Sequence, residues 1–482
     1  MFRGEIRLLG ARRCQLAGDT RRFLLKSKAT KIAASVMLLG LVAASCTSKS
    51  TTASTTSTSA GATTTVAGAT TTATAATTTV AAGPSPELQW ALDYLGVKAA
   101  AAPAGEPITI GYVNDEKLFP EATIGANAAV AYINAELGGI AGHELKLDSC
   151  DESVEEDGLK CGQQLANNDK IKLVITGAIV AGNQTLYDTL KGANKTVFEG
   201  NPLNAADLLN ASAYTFNPGS AGVVQGMAIF VKQQFPNAKK VAVVNTDNSG
   251  GQFAVTLVKG VFDKIGVEVS AVPVKDTDGA TQIAAAMSAS GADKADVFIP
   301  LVGIAGCIAS YDAIKSLGIK PVVVTSGLCF GTPMSDHLKQ SGVAGIVPDS
   351  WYYGGYGYSY FVPDAKSGMN TYLQAVQKYG KAADGKTLEY TGFAGPTFGT
   401  IMTAVKFANA LGDGKVDGPG FVAQAQAFTG PQMIVVGPMA CGKQPIFKPV
   451  CGIQMGIQQY KDGKWISIAD GANGKPIDPS AP

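Results

Sequence analysis

The chain has 482 residues, 46% apolar and 16% charged, long enough for two domains and too apolar for wholesale disorder. Its formal charge of +1 is unevenly spread: residues 1–45 hold nine Lys or Arg against Glu5 and Asp19, leaving 30 basic and 36 acidic residues from Cys46 onward. A body of net charge −6 argues against nucleic acid as a partner, and the only two histidines, His143 and His337, read as surface residues rather than catalysts.

The first 45 residues read as a processing segment and stand outside the fold. A basic stretch ends at Lys31, and an apolar run of 13 residues follows from Ile32 to Ala44, short of the roughly 20 needed to cross a bilayer. Small residues then lead to Val42-Ala43-Ala44-Ser45-Cys46. This resembles the bacterial lipoprotein box, with Ala43 where Leu is usual, and implies acylation of Cys46 and anchoring to the outer face of the membrane. Several acyl chains on one residue give lasting attachment. The alternative is ordinary secretory cleavage beside an incidental cysteine. Upstream, Thr20-Arg21-Arg22-Phe23-Leu24-Leu25-Lys26 resembles the twin-arginine export motif, with the general secretory route as the other possibility.

From Cys46 to Pro86 the chain is mostly Thr, Ser, Ala, Gly and Val, too poor in large apolar side chains to offset chain entropy, and is expected to form a mobile stalk. Residues 87–106 then read as one short helix, with Leu88, Ala91, Leu92 and Leu95 at helical spacing and Trp90 packing on the body, followed by a hinge.

Beyond Pro107 short β-rich runs alternate with helical stretches. Strands are expected at Ile108–Val113, Leu145–Asp148, Lys172–Thr176 and Thr196–Glu199, with helices at Gly125–Leu137 and through Cys161–Asn167. A second set reads Val241–Asn245 strand, Phe253–Ile265 helix, Val267–Val272 strand, Thr281–Ser290 helix, Val297–Leu301 strand, Cys307–Leu317 helix and Pro321–Thr325 strand. Alternation this short implies an α/β fold of parallel sheets covered by helices, with ligands bound beyond the carboxyl ends of the strands. No G-x-x-x-x-G-K-[ST] and no strand-borne G-x-G-x-x-G is present, so nucleotide binding has no support.

Three early blocks make a resemblance specific: GEPITIGYVNDEK, AVAYINAELGGIAGHELKLDSCDES and LANNDKIKLVITG. KKVAVVNTDNSGGQF, FVPDAKSGMNTYLQAVQKYG and GFAGPTFGTIMTAVKFANALG follow in order. Together they resemble type I periplasmic binding proteins, in the branch of leucine/isoleucine/valine- and amide-binding receptors of ABC importers. The resemblance implies two Rossmann-like lobes joined by three crossover segments, near Gly219–Val223, Val347–Asp349 and Thr429–Gln432. Lobe 1 would comprise 107–220 plus 349–430, and lobe 2 would comprise 221–348 plus 431–482. It also implies a small-molecule ligand between the lobes, a permease that reads their closure, a monomer, and neither cofactor nor metal. A lipoprotein that presents solute to a signalling receptor would use the same body, and no Ser-His-Asp order or H-E-x-x-H supports an enzyme.

Six cysteines remain in the exported body, and an even number there suggests disulfides. Nearness in sequence favours Cys150–Cys161, Cys307–Cys329 and Cys441–Cys451 among the possible pairings. Free buried thiols are the alternative. For the ligand, the loops after the lobe 1 strands offer Asn114, Ala178, Asn183 and Asn201. The family's small hydroxyl residues are missing there, which leaves backbone N–H groups and the two amides Asn183 and Asn201 as possible holders of an anion. Lobe 2 offers Ser249, Gly250, Gly303 and Ser326. The run Trp351-Tyr352-Tyr353-Gly354-Gly355-Tyr356-Gly357-Tyr358-Ser359-Tyr360 falls next to the cleft, and Tyr352 and Tyr353 are its expected contacts. The other reading of these aromatics is packing beneath the hinge.

Overall fold

A computed structural model describes residues 83–98, 101–357, 366–382, 385, 392–412, 415–469 and 474–480. The leader, Cys46, the stalk, Tyr358 and Tyr360 lie outside the described residues.

Helix α1 (Pro86–Leu95) begins where the Leu88 N–H donates to Ser85 Oγ at 3.2 Å and Pro86 presets the first helical φ. It stops at Gly96, whose φ of 70° is left-handed. The chain then alternates through β1 (Ile108–Asn114), α2 (Pro120–Glu136), β2 (Leu145–Asp151), α3 (Glu155–Ala166) and β3 (Leu173–Ala178). Next come α4 (Asn183–Gly192), β4 (Thr196–Asn201), α5 (Ala205–Leu209) and β5 (Ala213–Thr215). These strands pair in parallel in the order β2-β1-β3-β4-β5. β3 and β4 are buried along their whole length, as strands covered on both faces must be.

Helix α6 (Gly219–Gln234) leads into a second sheet. Its first strands and helices are β6 (Lys240–Thr246), α7 (Ser249–Ile265), β7 (Glu268–Val274), α8 (Ala280–Ala289), β8 (Val297–Leu301), α9 (Ile304–Leu317) and β9 (Val322–Ser326). A single 3₁₀ turn, α10 (Thr332–Gln340) and β10 (Tyr352–Gly355) follow. The chain returns to the first sheet with α11 (Met369–Tyr379), α12 (Ala394–Leu411) and α13 (Gly418–Ala427), then closes on β11 (Gly456–Lys461) and β12 (Lys464–Ala469). The second sheet has the order β12-β11-β10-β9-β8-β6-β7, with β11 antiparallel to both of its neighbours and the other pairs parallel. This is the two-lobed α/β architecture the sequence implied.

Each sheet has a core on both faces. In the first, Phe198 of β4 meets Phe216, Phe407 and Phe421 edge-on at 5.1, 5.9 and 5.8 Å, an arrangement that ring quadrupoles favour. Cys161, Leu165, Leu186 and Leu190 fill the opposite face from α3 and α4. In the second, alternate residues of β6 divide: Val241 and Val243 face α6 and α7, while Ala242 and Val244 face α8 and α9.

Three helices begin earlier than apolar spacing indicated. Helix α2 starts at Pro120, α7 at Ser249 and α9 at Ile304, because Pro, Gly and Ala in a first turn carry no periodic signal. Two stretches also fall in a different sheet from the one their expected boundaries gave. Tyr352–Gly355, assigned to lobe 1, pairs with β9 and β11 inside the second sheet. Val450, assigned to lobe 2, bridges to Thr215 at the edge of the first sheet, where the Cys451 N–H also donates to Thr215 O at 2.9 Å. Main-chain pairing decided both, and side-chain pattern does not report it. The three disulfides are Cys150–Cys161, Cys307–Cys329 and Cys441–Cys451.

Candidate ligand site

The carboxyl ends of β1, β3 and β4 bring Asn114, Ala178 and Asn201 side by side. Asn114 is fully buried; its Oδ1 accepts the Ala178 N–H at 2.9 Å, and its Nδ2 donates to Phe119 O at 3.0 Å and Glu116 Oε1 at 3.1 Å. Thr123 Oγ1 donates to the same Glu116 oxygen. Asn201 donates to Gly177 O at 3.0 Å and to Thr397 Oγ1 at 2.9 Å, tying β4 to the first turn of α12. Asn183 opens α4 and turns inward, donating to Asp207 Oδ1 at 2.6 Å.

Beneath these loops lies a group of buried acids that sequence spacing does not reveal. Asp207 accepts the Tyr187 hydroxyl at 2.7 Å and the N–H groups of Leu203 at 2.7 Å and Asn204 at 3.0 Å. Glu152 and Glu199 are fully buried, and neither carboxyl finds a hydrogen-bond partner. Burial, then the field of Asp207, Glu155, Asp157 and Asp115, pushes Glu152 up to about 9. Burial and the Asp207 charge push Glu199 well above the carboxylate range. Glu152 therefore holds its proton at neutral pH, and burial favours the neutral form of Glu199 in the same direction. Among the described residues no group of His, Cys, Asp or Glu could hold a metal ion. The only hint of this group in the sequence was the acid-rich run 151–157 directly after a strand.

Five backbone N–H groups around this face are already engaged. Ala178 N–H goes to Asn114, Gly182 N–H to Glu155 Oε2 at 2.8 Å, and Glu116 N–H to Asp151 Oδ1 at 3.1 Å. Lys117 and Leu118 N–H groups both go to Asp115 Oδ1, at 3.1 and 2.9 Å. These five donors are thus taken by the chain's own oxygens.

On the second sheet the expected loops are helix starts. Asn248 caps α7 by accepting the Gly251 N–H at 2.8 Å, so Ser249 and Gly250 form its first turn. Gly303 precedes α9 as its extended cap residue, and Ser326 Oγ accepts the Leu328 N–H at 3.3 Å. Ser249 and Gly303 are exposed and Ser326 is half-buried, so all three stand at the strand ends.

The aromatic run divides. The Tyr352 ring packs on Phe230 and Phe235 of α6 at 5.2 and 5.8 Å. Tyr353 is buried against Trp351 and Trp465, with its hydroxyl donating to Pro348 O at 3.3 Å. Tyr353 also lines a cavity of about 50 Å³ with Phe330, Tyr356, Pro396 and Ile434, residues contributed by both lobes. A larger hollow of about 430 Å³ lies away from the strand ends, between α1, α12 and α13 beside Lys406 and Phe428.

Comparison with known proteins gives this geometry its family. The model of the family described as "Periplasmic binding protein" matches residues 107–444. Among solved structures, the chain is similar to an ABC transporter substrate-binding protein of Aeropyrum pernix at 15% identity. That match covers 78% of this chain and 97% of that one, with a TM-score of 0.64. A solute-binding protein of R. palustris in complex with 4-hydroxybenzoate is 16% identical, covering 77% and 97%, with a TM-score of 0.61. A leucine-binding protein of Thermotoga maritima is 12% identical, covering 77% and 99%, also at 0.61. No curated protein matches the chain in sequence at a significant level. Likeness at these identities establishes the fold, and the family model establishes the kinship: the chain belongs to the periplasmic binding protein family, as a binding protein rather than an enzyme.

Proposed function

We propose that this protein is a receptor held on the outer face of the cell membrane by an acylated Cys46, with residues 47–86 as its stalk. It captures a small polar or amphipathic solute between its lobes, within the classes of branched-chain amino acids, amides, ureas and aromatic acids, and presents it to an ABC permease. The observation that carries this reading is the arrangement of one parallel and one mostly parallel sheet between which the chain passes three times. Several short connections allow two lobes to rock about a ligand bound beyond the strand ends. We place those passages near 216–219, 355–357 and 451–455.

The test is a thermal-shift screen of the full-length protein against these four classes, followed by small-angle scattering with any solute that raises Tm. Compaction without chemical change of the solute is expected. Turnover of a bound solute, or binding with no change in dimensions, would contradict the reading.

A further inference from the structure

The two faces at the strand ends differ in charge from the rest of the molecule. After β1, β2, β3 and β4, residues 114–121, 151–157, 177–183 and 199–209 hold ten Asp or Glu and one basic residue, Lys117. After β6, β7, β8 and β9, residues 246–252, 274–279, 301–306 and 326–331 add Asp247, Asp276, Asp278 and Lys275. From Cys46 onward the chain has an excess of only six acids, so outside these loops bases outnumber acids. Protons on Glu152 and Glu199 do not alter that balance.

Hydrogen bonding points the same way. A carboxylate ligand needs free N–H or hydroxyl donors, and at this face the N–H groups of Glu116, Lys117, Leu118, Ala178, Gly182, Leu203 and Asn204 already serve Asp115, Asp151, Glu155, Asp207 or Asn114. Two acceptors lie beside them: Asn183 Oδ1 and Asn201 Oδ1 are buried without partners. The same loops also expose apolar side chains. Leu118, Val154, Val180 and Leu209 are 54, 52, 40 and 55% exposed.

Taking this face as the ligand site of the receptor proposed above, and replacing the four solute classes named there, we infer that the receptor selects an organic cation, an ammonium or guanidinium head on an apolar body, and rejects free carboxylates. The acids supply the field for the head, and the four exposed side chains supply a surface for the body. Electrostatic selection of this kind weakens with salt.

The test compares probes matched in body and opposite in head on the full-length protein by titration calorimetry: 3-methylbutylamine against 3-methylbutanoate, leucinamide against leucine, and 4-hydroxybenzylamine against 4-hydroxybenzoate. Each amine is expected to bind at least about tenfold more tightly than its carboxylate, by a margin that shrinks in high salt. Glu155→Lys, at an exposed position that also releases the Gly182 N–H, is expected to reduce that margin about tenfold. Tighter or equal binding of the carboxylates overturns the inference and leaves the receptor reading standing, as does a preference for 4-hydroxybenzamide over both charged partners. Binding of none of these probes overturns the inference; failure of the wider four-class screen as well would overturn the receptor reading too.

Discussion

Glu155, the first residue of α3, accepts the backbone N–H of Gly182 at 2.8 Å, fastening the start of one helix to the turn that begins the next. The turn depends on the glycine. Gly182 has a φ of 63°, and a Cβ there would lie 2.6 Å from Glu152 Oε1 and 2.8 Å from Gly158 Cα. Gly182→Ala is expected to cost about 2 kcal/mol or more, from left-handed backbone and overlap together. A urea midpoint equal to that of the parent protein would contradict the account.

Stability should fall as pH rises. Glu152 and Glu199 have folded-state pKa values raised above their ordinary 4.5, Glu152 to about 9. Between those limits the folded protein binds more protons than the unfolded chain, so by linkage the contribution is complete below about 4.5 and is lost as pH climbs through about 9. Urea midpoints measured from pH 5 to 9 are expected to decline. Glu152→Gln with Glu199→Gln should flatten that decline, since the amides keep the shape and cannot ionise. An equal slope in parent and variant would show that other groups govern it.

Helix α1 is fixed to the body by a buried hydroxyl. Tyr94 Oη lies 2.9 Å from Thr403 Oγ1 and 3.3 Å from Gln432 Oε1, while the Trp90 indole N–H donates to Lys366 O at 3.1 Å. Tyr94→Phe is expected to cost about 1 kcal/mol, because Thr403 keeps its own 2.6 Å bond to Gln432. Tyr94→Ala should cost about 3–5 kcal/mol through the cavity it leaves. Chemical denaturation of both variants checks the ranking, and equal losses would mean the ring contributes nothing beyond the hydroxyl.

Attachment and export can be separated by substitution. Cys46→Ser is expected to release the protein from membranes while leaving its Tm unchanged, since the stalk proposed for residues 47–86 sets that residue apart from the body. Fractionation of cells reads this directly. Changing Arg21 and Arg22 to Lys should stop export if the twin-arginine route is used, and unimpaired export would assign the protein to the general route.

Local pattern was enough to read much of the fold. ITIGYV, KLVIT, VAVVN and VFIPL are apolar and β-branched enough to be strands buried on both faces. Their alternation with helical stretches leaves parallel sheets as the natural solution. The cysteine spacings likewise anticipated the pairings, because partners 10 to 22 residues apart meet wherever a strand turns into a helix or a loop folds back.

The site was less legible. Asn248-Ser249-Gly250-Gly251 has the composition of a loop, and only the cap made by Asn248 turns it into the start of α7. Tyr352 and Tyr353 looked free to meet a ligand, but strand pairing with β9 and β11 carries Tyr352 onto Phe230 and most of Tyr353 into the core.

By itself the sequence determined the class of fold, the acidic body and the preference for the three cysteine pairings, since each follows from composition or from residues close along the chain. Tertiary structure alone decided that Asp115, Asp151, Glu155 and Asp207 consume six N–H groups at the strand ends. Those residues lie on separate loops, and which donors remain open to a ligand depends on distances of a few ångströms between segments far apart in the chain.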